Sequence, residues 1–218
     1  MEKDLVTVTN GLPANATYIK EDKSNKFNIN NSTVNFNLTP AQSSVPGEAE
    51  KLMAVQSFSH EYYQLLVTCE EDVFSSGVVT ILANRALTQY NVPPEIFSRC
   101  STLTDEGIKE LKTFPALICR ENTEMNGKTD PNQFAVYGYI QKVKIEGKNI
   151  KVVFATLGLI PQQALCSKKS AVYFDLNMDC AITDLNHSAW SVHKTNLFEA
   201  FDQAGFSHLP RPIIMEEN

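Results

Sequence analysis

Lys142, Lys144 and Lys151 alternate with apolar residues on the two arms of a hairpin, with Lys148 in the turn between them, which places four ammonium groups along one ribbon. Ammonium groups on a rigid ribbon pair with phosphates without ordering new backbone, so this is the leading candidate for an anion or nucleic-acid contact. Tyr137 and Tyr139 lie upstream on the same segment and would supply stacking surface for bases. The same lysines have a plain structural use, because charge on an exposed strand keeps it soluble and discourages edge-to-edge pairing.

A second group follows Arg120, in the polar stretch from Glu121 to Asn132. Arg120, Glu121, Asn122 and Asp130 are candidates to line a ligand pocket, since loops on a rigid scaffold often carry function. Glu121, Glu124 and Asp130 lack the regular spacing of oxygen-ligand loops, and no metal site is assigned. Glu146-Gly147-Lys148 with Asp130 upstream has the residue types of a metal-dependent nuclease. Its Glu and Lys fall in a tight turn, however, where no buried strand would fix them.

His187, Ser191 and His193 are spaced to share one face of a continuous strand. A serine and a histidine alone are not a charge-relay site, for which a third orienting group and oxyanion donors are needed. Cys119 has a cation beside it in sequence, Arg120, but alternation on a strand turns its thiol inward. The five cysteines are odd in number and form no C-x-x-C pair, and no Gly-rich phosphate loop occurs. No catalytic set and no cofactor site is therefore assigned.

The elements that must carry these residues follow from periodicity and turn chemistry. Residues 1–46 form an Asn-rich arm that ends in the linker-like Pro40 to Gly47. Within it Phe27 and Ile29, then Val34, Phe36 and Leu38, alternate with polar residues, with a change of phase at Asn30-Asn31-Ser32. Two such strands cannot sustain themselves and need a cover, from the body of the chain or from a neighbour.

The body, residues 47–218, opens with a helix from Glu48 to Phe58 that turns Leu52 and Val55 inward. Tyr62–Thr68 and Val78–Leu82 read as strands of a hairpin around the Ser75-Ser76-Gly77 turn. Short helices follow near Pro94 and Thr104, then a strand from Phe114 to Cys119. Phe134–Ile145 and Ile150–Leu157 form a hairpin about Glu146-Gly147-Lys148-Asn149, with Ile145 facing Ile150 and Val143 facing Val152. Val143, Ile145, Ile150, Val152 and Phe154 would pack inward. A short helix after Ile160, a last strand with Trp190 and Val192 inward, and a helix from Leu197 to Ala204 between Asn196 and Gly205 complete the chain.

These elements predict an α+β domain: a small antiparallel β-barrel or curved sheet of about six strands, with short inserted helices and a C-terminal helix, preceded by a β-forming arm. A net charge of −6 opposes broad attraction to nucleic acid or anionic membranes, although residues 113–154 carry six basic against four acidic groups. No secretory leader or membrane span is visible, and the expected location is cytoplasmic.

The leading functional expectation is a non-catalytic binding or assembly protein whose arm pairs with a protein partner or a second subunit. One alternative is an RNA- or nucleotide-binding module using the lysine ribbon. Another is a hydrolase or nuclease assembled from distant residues, with Glu121, Asp130 and His193 as participants.

Overall fold

The computed structural model describes residues 46–213, together with the backbone of two short strands, β1 (Asn25–Ile29) and β2 (Ser32–Phe36). These strands pair antiparallel, with Phe27 opposite Val34. The side chains of Phe27, Ile29, Val34 and Phe36, and the whole of Leu38, lie outside the described residues.

In the body, α1 (Glu48–Gln56) leads into β3 (Tyr63–Thr68), and α2 (Val73–Ser76) into β4 (Val78–Leu82). Helices α3 (Pro94–Cys100) and α4 (Asp105–Leu111) precede β5 (Ala116–Arg120), β6 (Phe134–Glu146) and β7 (Asn149–Pro161). Short helices α5 (Gln162–Leu165) and α6 (Lys168–Tyr173), strand β8 (Ala189–His193) and α7 (Leu197–Ala204) follow.

Strands β3 to β8 form one sheet in the order β4-β7-β6-β5-β3-β8, with β3 and β5 parallel and every other pair antiparallel. The sheet is open, which corrects the expectation of a barrel. Helices cover both faces. Val55, Leu165, Ala171 and Phe201 of α1, α5, α6 and α7 pack on one face. Val73, Ile96 and Leu111 of α2, α3 and α4 pack on the other. A strand covered on both sides has no solvent face, which is why β3 is buried along its whole length and its sequence does not alternate.

The expected hairpin of β3 with β4 does not form. Its turn exists, closed by Gly77 at φ +65, but β4 travels to the far edge and pairs with β7. Both sides of β3 are taken by β5 and β8, and joining parallel strands requires a long crossover, which residues 69–115 supply.

The β6–β7 hairpin has the expected register, with Ile145 opposite Ile150 and Glu146 opposite Asn149. It reaches past the helices that cover the sheet, so Ile145 is 55% exposed instead of buried. Two register shifts bend it. At the first, a Cβ on Gly138 would stand 2.1 Å from the Ala155 carbonyl oxygen, so only glycine passes there. Leu52, expected inward on α1, is 59% exposed.

Candidate active site

Strand β8 is the sheet's outermost strand beyond β3, and its position is fixed from the opposite face by Trp190. That indole is fully buried and donates its Nε1–H to Gln64 Oε1 at 3.2 Å. Gln64 in turn donates to the Leu111 and Phe114 carbonyls, each at 2.9 Å, so the buried amide has partners on both sides. With Trp190 locked inward, its neighbours Ser191 and His193 turn to the other face of the strand.

There they meet. Ser191 Oγ and His193 Nε2 are 3.0 Å apart, and His193 Nδ1 lies 3.4 Å from Asp175 Oδ2. Tyr63, opposite His193 in the β3–β8 register, stacks its ring on the imidazole with centroids 4.9 Å apart and planes 15° from parallel. The Tyr63 hydroxyl donates to the Phe174 carbonyl at 2.5 Å, holding the chain immediately before Asp175. One tyrosine thus sets both the imidazole plane and the approach of the carboxylate.

Asp175 follows the last turn of α6 with φ +53, in the left-handed region. Glycine fills this position after a helix at least cost, and aspartate is among the few other residues that tolerate it. The hydrogen bond from His193 holds the Asp175 carboxyl below the usual carboxylate range, against the upward pull of desolvation. An ionised carboxylate at Nδ1 favours the tautomer with its proton on that nitrogen, leaving Nε2 to accept the Ser191 hydroxyl proton.

The row opens into a cavity of about 310 Å³, with Leu65, Val67 and Val92 among its apolar walls and Asp184, His187 and Lys194 among its polar ones. His187 falls outside β8, in the loop before it, so the continuous strand face expected for His187, Ser191 and His193 holds only for the last two. Residues 87–91 close the strand's outer edge. The Leu87 amide donates to the Trp190 carbonyl at 2.8 Å, and the Val192 amide donates to the Asn91 carbonyl at 3.1 Å. The Asn91 side-chain amide reaches the same Trp190 carbonyl at 3.3 Å.

The residues singled out in the sequence sit elsewhere. Lys144 and Lys151 both pair with Glu146, at 2.5 and 2.8 Å, and these two lysines hold its carboxyl down to about 2. Lys142 and Lys148 are exposed, with no ion pair among the described residues. Tyr137 and Tyr139 are buried in the core beneath α1 and α7 and offer no stacking surface, because alternation on β6 turns them under the helices.

The loop after β5 is tied inward. Gln162 Nε2 donates to the Arg120 carbonyl at 2.6 Å and to Asn122 Oδ1 at 2.9 Å, and Gln133 Nε2 donates to the Arg120 and Glu121 carbonyls. Glu121 accepts from the Ser188 hydroxyl at 2.6 Å, and Asp130 accepts from the Asn132 amide. Arg120, Glu121, Asn122 and Asp130 therefore brace a loop and do not converge on the cavity. Among the described residues no three His, Cys, Asp or Glu side chains converge as metal ligands, and no helix is long and apolar enough to cross a membrane.

Asp175 is the member that sequence reasoning missed. Its signal was slight, an acidic residue where a helix stops without glycine. Compared with protein-family models, curated proteins and solved structures, the chain matches none of them significantly.

Proposed function

We propose that the protein is an acyl hydrolase with Ser191 as nucleophile, His193 as general base and acid, and Asp175 as the group that orients the imidazole. The observation that carries this is the row Ser191, His193, Asp175, with contacts of 3.0 and 3.4 Å, opening into a cavity. Ser191 Oγ attacks the acyl carbonyl carbon while His193 Nε2 takes its proton. The bond from that carbon to the leaving oxygen then breaks, and His193 returns the proton to the departing alcohol. Water attacks the acyl-serine in the same way, releasing the carboxylic acid and restoring the Ser191 hydroxyl.

The amide of Val192 is already bonded to Asn91, so strand β8 does not offer it to a developing oxyanion. One missing oxyanion donor costs roughly 10²- to 10³-fold in turnover, and the expected enzyme is slow. Hydrolysis of 4-nitrophenyl acetate by the wild type and by Ser191→Ala tests the assignment. Turnover above buffer that falls at least about 100-fold in the variant is expected; equal rates would remove it.

A second reading keeps the arm as an assembly device, favoured by one observation. Strands β1 and β2 pair with each other, forming a two-stranded ribbon of the kind that needs a cover to persist. Deleting residues 1–40 should then lower the subunit number seen by native mass spectrometry, and an unchanged mass multiple would defeat the reading.

A further inference from the structure

Resting on the acyl-hydrolase reading, the charge and size of the cavity narrow the substrate. Three residues with formal charge line it: Asp175, Asp184 and Lys194. The Lys194 ammonium is drawn to carboxylates, standing 3.1 Å from Glu95 and 3.4 Å from Glu61, with the Tyr62 ring centroid 5.7 Å away. Two carboxylates against one ammonium leave that corner negative, and Asp175 and Asp184 add to the same sign. Two carboxylates and one ammonium among the lining residues, with that ammonium neutralised by Glu61 and Glu95 behind it, leave the cleft net negative, which favours cations and disfavours phosphorylated or carboxylated acyl compounds.

Tyr90 lines the cavity with 89% of its surface exposed, within the segment that closes β8. An exposed aromatic face next to a negative cleft is a surface for a cation. The volume sets the scale: about 310 Å³ corresponds to about ten waters at about 30 Å³ each. Leu65, Val67 and Val92 provide an apolar wall for the rest of such a ligand.

We infer that the cavity takes a small acyl ester bearing a cationic group, of about ten non-hydrogen atoms, with Tyr90 and Asp184 selecting the cation and Ser191 receiving the acyl group. The ester bond breaks as described above, and the cationic part leaves as the alcohol. Asp184 lines the cavity, and its Oδ2 accepts the Asn177 amide at 2.7 Å, which fixes the carboxylate in its loop.

The test compares two esters of matched shape, acetylcholine and its uncharged carbon isostere 3,3-dimethylbutyl acetate, using the full-length protein. The expected kcat/KM for the cationic ester exceeds that for the isostere by about tenfold or more at low salt, and the ratio shrinks at high ionic strength. It also shrinks in Asp184→Asn and in Tyr90→Ala; the second, at an exposed position, keeps the test open if the first unfolds. Ser191-dependent turnover of both esters at equal rates, or preference for the neutral one, overturns this inference and leaves the hydrolase reading standing. No Ser191-dependent turnover of either ester overturns this inference, and overturns the hydrolase reading too when 4-nitrophenyl acetate also shows no Ser191-dependent hydrolysis.

Discussion

The sheet ends in two edge strands, and the chain closes them by different means. At β4, polar side chains satisfy the backbone: Glu70 Oε2 accepts the Thr80 amide at 3.0 Å, and Ser76 Oγ accepts the Val78 amide at 3.2 Å. At β8, backbone does that work, through Leu87 and Asn91. The side chains of Ser191 and His193 are thereby left to bond one another and to face a cavity. An unpaired strand edge invites edge-to-edge pairing, and both closures guard against it. Only the second places a hydroxyl, an imidazole and a carboxylate in a row at a cavity, with the Leu65 carbonyl, 3.5 Å from Ser191 Oγ, as the longer alternative acceptor of the hydroxyl proton. Both edges are also engaged against strand addition, so an arm that seeks a partner strand would find it off this sheet.

The contrast breaks most sharply at His193. His193→Ala should lower turnover by about 10³-fold or more, equivalent to about 4 kcal/mol of barrier, while the midpoint of thermal unfolding moves little. A large stability loss with modest change in turnover would make the row a structural clasp like the one at β4. Glu70→Ala should do the reverse, costing about 1 to 2 kcal/mol in denaturant titration and raising aggregation, with turnover unchanged.

Asp175→Asn comes next in size. Its carboxyl is depressed in the folded chain by the His193 hydrogen bond, so the stability it contributes is present above the ordinary carboxylate pKa and is lost as pH falls through the lower folded value. The wild type should therefore exceed the variant near neutrality by less than about 1 kcal/mol, since the Asp175 side chain is 69% exposed. The gap should close on acidification through the range of an ordinary carboxylate. The smallest effect is at the hairpin tip, where Lys144→Ala removes an exposed ion pair to Glu146 and should leave the thermal midpoint unchanged.

Local rules carried much of the fold. The β6–β7 register followed from one turn and two alternating flanks, and Asn196 and Gly205 bound α7 as their capping chemistry requires. Trp190 and Val192 point inward as their alternation implied. The partners of β3 were not legible, because a parallel neighbour brought in over a long crossover leaves no local mark, and a continuous apolar run does not say what covers it. The site was half legible. Ser191 and His193 stand two apart on one strand, but Asp175 joins them through a left-handed residue at the end of α6, a juxtaposition made by tertiary packing alone. The lysines and tyrosines of β6 were visible for the opposite reason, since charge and aromaticity stand out in sequence whether or not the fold uses them.

The most direct test is a fluorophosphonate probe, which forms a stable adduct only with an activated serine, followed by peptide mapping. A single adduct on Ser191, absent in His193→Ala and in Ser191→Ala, is the predicted result. Labelling that spares Ser191 in the folded wild type, or that persists on Ser191 without His193, would contradict the assignment of the β8 edge as an active site.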